Sequence, residues 1–190
     1  MGKVILASGS PRRKQLLEWA EVDFEVIVRE TAETYPPGMA IPDVPVHIAR
    51  NKALAVRPGV AADRVIIAAD TVVVLGEEII GKPRDRADAV SILSRLAGER
   101  HEVITGVVLL NNGEEQAFAD RTAVWFHPLS QEEIEGYVDR YKPYDKAGAY
   151  AIQEWIGVVG IQKIEGDFYN VMGLPVSRVV QALKKWRVIG

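Results

Sequence analysis

Two carboxylates and four cations carry the chemistry that this sequence offers: Glu33 and Asp70, and Arg12, Arg13, Lys52 and Lys82. Carboxylates hold a hard divalent cation such as Mg2+, Mn2+ or Co2+, and lysine or arginine neutralises a polyphosphate, so the set suits metal-assisted phosphoryl chemistry. Asp70 falls inside the most apolar run of the chain, Arg64 to Leu75. An unpaired carboxylate is costly there, so it must be hydrogen-bonded, ion-paired or bound to a metal. Lys52 interrupts an apolar helical stripe formed by Ile48, Ala49, Ala53 and Val56. Such a lysine either snorkels to solvent or aims at a buried anion. Arg12 and Arg13 follow Ser10-Pro11 at a helix start, where cations oppose the helix dipole and their cost implies an anion, a phosphate above all. Glu33 lies in a polar, proline-rich loop from Glu30 to Gly38, and Lys82 in the turn Gly81-Lys82-Pro83-Arg84-Asp85.

The elements that must position these groups follow from periodicity and punctuation. Val4 to Ala7 predicts a short buried strand, and Ser8-Gly9-Ser10-Pro11 predicts a turn into a helix with Ser10 as N-cap and Pro11 at the first helical position. Phe24 to Val28 reads as a second strand, Asp43 to Val56 as a helix and Arg64 to Leu75 as a central strand. Asp85 caps a helix carrying Ala89, Val90, Leu93, Leu96 and Ala97, which Gly98 ends. His101 to Leu110 and Glu115 to Phe126 flank Asn111-Asn112-Gly113, a hairpin signal that makes the sheet mixed. Ser130-Gln131-Glu132-Glu133 is a capping box opening a helix. Lys142 to Gln153 reads as irregular, Trp155 to Ile164 as strand and Gly166 to Leu174 as a loop before a last helix at Pro175.

With 190 residues and 48% hydrophobic content, the chain predicts a single domain, 1–190. A net charge of −3 and a pI near 5.7 argue against a general nucleic-acid or membrane-surface binder. Cysteine is absent, which excludes disulfides and thiolate metal sites. No signal-like or membrane-length apolar segment is seen, so a cytoplasmic protein with no membrane or nucleic-acid partner is the expectation. His47, His101 and His127 lack metal-ligand spacing and read as structural. No Walker-type loop, dinucleotide fingerprint or serine elbow occurs.

The stretches Ala7-Ser8-Gly9-Ser10-Pro11-Arg12-Arg13, Ala69-Asp70-Thr71, Gly81-Lys82-Pro83, Thr105-Gly106-Val107, Asp145 to Gln153 and Asn170-Val171-Met172-Gly173-Leu174-Pro175 resemble, in order, the motifs of the Maf family of nucleoside triphosphate pyrophosphatases. The resemblance spans nearly the whole chain. It implies a mixed α/β fold of the Maf and inosine-triphosphatase type with a twisted sheet flanked by helices, a cleft between two lobes, a homodimer, a divalent metal cofactor and hydrolysis of a nucleoside triphosphate to the monophosphate and pyrophosphate. By position, Asp70 resembles the catalytic proton acceptor and Glu33 the acid that helps it hold the metal. Ser8, Arg13, Lys52 and Lys82 match positions that contact phosphates or support catalysis. Arg12, Thr71 and Gln153 match the base-selective positions in the combination typical of the dTTP/UTP branch. The glutamine amide offers the donor and acceptor that complement the carbonyl and N3–H edge of uracil and thymine. Ala151 and Glu154 depart from the glycines of many relatives, and Thr31-Ala32 from the usual approach to Glu33. The same reaction on 7-methyl-GTP or an inosine-type nucleotide, and a regulatory nucleotide-binding role in septum formation, stand as alternatives.

Overall fold

The computed structural model describes residues 4–190. Its elements run β1 (Val4–Leu6), α1 (Pro11–Trp19), β2 (Phe24–Val26), α2 (Asp43–Val56), β3 (Val65–Leu75), β4 (Glu78–Ile80), α3 (Arg86–Leu96), β5 (Arg100–Asn111), β6 (Glu114–Phe126), α4 (Gln131–Tyr141), α5 (Trp155–Gly160), β7 (Ile161–Glu165), α6 (Phe168–Met172) and α7 (Val176–Lys185). Short 3-10 turns occupy Arg57–Gly59 and Ala147–Ala149. Among the described residues the strands form one seven-stranded sheet in the order β2-β1-β3-β5-β6-β7, with β4 paired to β3. Parallel pairing of β1 with β2 and β3, and antiparallel pairing of β3 with β4 and of β6 with β7, make it mixed.

The chain packs as two compact units. The first holds the segment ending at Asp70 together with Thr105–Asp120 and Gly173–Gly190; the second holds Thr71–Ile104 and Arg121–Met172. In the first, α2 lays Ala49, Ala53 and Val56 on Ile5, Ile66, Ala68 and Val108 of the strands and on Ala7 just past β1. Small residues on the helix let it lie close to the sheet. Gly106 on β5 continues this, because the backbone at Pro45 and Val46 occupies the space a side chain would need.

In the second unit, α4 opens as its sequence dictates. Ser130 Oγ accepts from the Glu133 N–H at 3.2 Å, and Glu133 accepts in return from the Ser130 N–H at 2.7 Å. Asp85 caps α3 through the Asp88 N–H. In the first unit, Asn112 and Gly113 take the positive φ values, 44° and 86°, that a tight hairpin turn between β5 and β6 requires.

Three stretches differ from the sequence expectation. Trp155 to Gly160, expected as strand, is the helix α5. The Gly157 and Val158 N–H groups both donate to the Glu154 carbonyl, and an ideal Cβ on Gly157 would lie 1.7 Å from the Ile152 carbonyl oxygen. Glycine there lets the chain fold back on itself, and that closure overrides the β-branched preference of the segment. Within Gly166 to Leu174, expected as a loop, Phe168–Met172 forms α6, whose start is fixed by Asp167 Oδ1 accepting from the Tyr169 N–H at 2.8 Å. Ser10 sits at the N-cap of α1 but makes no side-chain cap bond, and its own N–H turns to Ser8 Oγ at 3.3 Å.

His101 is structural, as expected. It is buried between Phe126 and Tyr150, its Nε2 shares a 2.7 Å hydrogen bond with the Tyr150 hydroxyl, and its Nδ1 is buried without a hydrogen-bond partner. Burial, helped by the Arg100 charge, pushes its pKa down from 6.5 to about 4. The unfolded chain therefore binds a proton between these values that the folded chain refuses. Stability should be intact above pH 6.5 and fall as pH drops toward 4, at up to ~1.4 kcal/mol per pH unit from this residue. Urea denaturation at stepped pH, with His101→Phe as the comparison that lacks this component, measures it.

Candidate active site

The first unit gathers five of the expected residues. Lys52 rides on α2, three residues past Ala49, which is packed on the sheet, so its stem rises along apolar surface and its ammonium emerges beside β3. There Nζ donates to Asp70 Oδ1 at 2.7 Å and to Glu33 Oε1 at 2.8 Å. Asp70 is 9% exposed near the middle of β3, and this pairing answers the desolvation its position imposes. The Glu33 side chain is 44% exposed and arrives from the proline-rich loop. The Lys52 ammonium thus already holds both carboxylates around one point of positive charge.

Arg13 lies on the buried side of α1, on the face it shares with Leu16 and Leu17. Its Nη1 donates to Ser8 Oγ at 3.0 Å and its Nε to the Gly173 carbonyl at 2.7 Å. Burial holds the guanidinium below its ordinary pKa, with the negative charge of Asp70 opposing that shift most strongly and Arg12 adding to it. An arginine remains charged through such a shift. The field of Asp70 at Arg13 ties the basic turn to the carboxylates. A cavity of about 210 Å³ opens here, lined by the Ala7-Ser8-Gly9 turn, the 28–31 segment, Glu33 and Lys52.

Arg12, half-buried on α1, belongs to the same unit. Thr71, Lys82 and Gln153 belong to the second. Thr71 follows Asp70 on β3 and is half-buried, whereas Lys82 and Gln153 are exposed on loops. The Gly148 N–H donates to the Gly81 carbonyl at 3.1 Å, which ties the loop of Lys82 to the segment that leads to Gln153. Asn170 is structural: buried, it donates to the Val103 carbonyl at 3.1 Å and to Thr122 Oγ1 at 3.0 Å.

The donor set fits a divalent cation. Among the described residues no cluster of three or more histidines, aspartates or glutamates gathers to make an all-protein cage. Two carboxylates converging on a positive charge are the protein share that Mg2+ needs when phosphate oxygens and water complete its shell. Sequence reasoning missed Gly173, whose contribution is a backbone carbonyl.

The profile of the family described as Maf-like protein matches residues 3–186. The chain belongs to that family. This Maf-like chain is 48% identical over 182 residues to a dTTP/UTP pyrophosphatase of Cytophaga hutchinsonii, covering 96% of this chain and 83% of that one. A dTTP/UTP pyrophosphatase of Bacillus anthracis is 45% identical over 188 residues, covering 99% of this chain and 97% of that one. Among solved structures, the Staphylococcus aureus Ham1 protein superposes with a TM-score of 0.54 at 16% identity, covering 97% of this chain and 98% of that one. At that identity the likeness speaks for the Maf-like fold alone. No helix among the described residues is long and apolar enough to cross a membrane.

Proposed function

We propose that this chain is a metal-dependent dTTP/UTP pyrophosphatase, releasing pyrophosphate and the nucleoside monophosphate from dTTP, UTP and modified pyrimidine triphosphates. The observation that carries the reading is the Lys52 ammonium held between Asp70 and Glu33 beside the buried Arg13–Ser8 pair, on a chain 43–48% identical to pyrophosphatases of that name. Asp70 and Glu33 would hold a divalent cation (Mg2+, Mn2+ or Co2+), which supplies Lewis-acid polarisation of water and phosphate.

The residues divide the work by their chemistry. Asp70 accepts the proton of the water that attacks the α-phosphorus, a task suited to a carboxylate fixed by one strong hydrogen bond. Lys52 holds both acids in place and offers positive charge to the phosphates. Arg13, locked by Ser8 Oγ and the Gly173 carbonyl, presents a guanidinium that loses little freedom on meeting a phosphate, and with Lys82 it balances the charge growing on the pyrophosphate. Arg12, Thr71 and Gln153 read the base. The enzyme works in the cytoplasm as a homodimer.

Pyrophosphate release from dTTP, UTP, 7-methyl-GTP, ITP and ATP, each with Mg2+, Mn2+ and Co2+, tests this. dTTP and UTP should be the best substrates, and EDTA should abolish turnover until a divalent metal is restored. Faster hydrolysis of 7-methyl-GTP or ITP overturns the base preference, and undiminished turnover in EDTA overturns the metal.

A further inference from the structure

One phenol in the second unit grips both sides of Gln153. The Tyr137 hydroxyl accepts from the Ala151 N–H at 3.3 Å and donates to Glu154 Oε2 through a short hydrogen bond. Tyr137 is 2% exposed, with its ring stacked on Tyr141 and Trp155. Glu154 is held from the other side by the Lys146 ammonium, 3.7 Å from Oε1, and Lys146 is itself paired with Asp145 at 2.8 Å. Between the two gripped residues, Ile152 is buried and Gln153 alone is exposed. Tyr150 anchors the segment upstream on His101, and the Glu154 N–H closes it through the Ala151 carbonyl at 3.1 Å.

We infer that Tyr137 and Glu154 are positioning residues for base selection: their hydrogen bond fixes the short loop from which the Gln153 amide projects, and so sets which base edge that amide accepts. The inference rests on the reading of Gln153 as the base-selective residue. A glutamine amide discriminates only if donor and acceptor are held the right way round, since uracil and cytosine present opposite patterns at N3 and at the 4-position. A loosened loop lets the amide turn and serve either.

Steady-state kinetics on UTP, dTTP and CTP test it. Tyr137→Phe removes only the hydroxyl, and Glu154→Ala removes its partner from a partly exposed position that tolerates truncation. Each should raise KM for UTP and dTTP about five-fold and narrow the UTP-over-CTP ratio of kcat/KM by a similar factor, with kcat changed by less than about two-fold. Glu154→Gln keeps an oxygen acceptor for the phenol and should restore the ratio. A uniform fall in kcat on all three nucleotides with the ratio unmoved, or Glu154→Gln as impaired as Glu154→Ala, overturns the inference. Gln153→Ala separates the two levels of the argument. If it leaves the ratio unmoved, the base-reading role fails and the inference fails with it; if it moves the ratio while Tyr137→Phe and Glu154→Ala do not, the positioning role alone is overturned.

Discussion

Asp70→Asn should lower kcat on dTTP and UTP about a thousand-fold while leaving the chain folded and able to bind nucleotide. Asparagine has nearly the shape of aspartate and keeps an Oδ1 that can accept from Lys52 Nζ, now 2.7 Å away. What it loses is the negative charge and the ability to take a proton. Lys52 keeps Glu33 as its ionic partner at 2.8 Å, so the ammonium is not stranded and the stability cost should stay near ~1 kcal/mol. Glu33→Gln provides the internal scale: the Glu33 side chain is 44% exposed against 12% for Asp70, so solvent screens it more and its loss should cost turnover only about ten-fold. Single-turnover pyrophosphate release measures both, and nucleotide binding followed by calorimetry shows whether Asp70→Asn still binds. A loss below ten-fold would remove Asp70 from the chemistry. The same variant addresses the regulatory alternative, because a protein acting only by binding should keep its cellular effect when turnover is lost.

How much of this was legible beforehand depended on whether a residue carried its own evidence. Lys52 in an apolar stripe and Asp70 in an apolar strand were each costly alone, and the 2.7 Å bond between them resolves both costs at once. The helix from Asp43 to Val56 and the Ser130–Glu133 capping box were legible because periodicity and cap chemistry agree there. Elements whose cause lies in tertiary closure were not. Strand β4 is three residues long and pairs with the end of β3, and α5 depends on a backbone approach at Gly157 that no propensity encodes. The clamp on Arg13 combines both cases. Its serine partner lies five residues away and stood in the same motif, whereas Gly173 lies 160 residues away and acts through a carbonyl, which every residue type possesses. Gly106 was visible as part of a motif, but its reason was hidden for the same cause, since the partner is backbone.

Gly106→Ala should cost at least ~3 kcal/mol of stability and lower Tm by roughly 10 °C, far more than one added methyl costs at an ordinary core position. The ideal Cβ would lie 2.2 Å from the Val46 nitrogen, 2.3 Å from the Pro45 carbonyl carbon and 2.7 Å from the Pro45 oxygen. These are backbone atoms in the first turn of α2, so no rotamer change relieves the clash and the helix start itself must move. Gly106 is buried in a strand, where neither the sheet nor the core beneath it can yield to the extra carbon. Because α2 also carries Lys52, displacement of the helix should separate Nζ from Asp70 and Glu33, and activity should fall in the protein that does fold. Thermal denaturation and kcat/KM on dTTP, measured on the same preparation well below its Tm, distinguish the two effects. A variant with wild-type Tm would show that the helix and sheet have slack at this contact, and one that loses Tm but keeps full kcat/KM would show that the Lys52 bridge does not depend on where α2 begins.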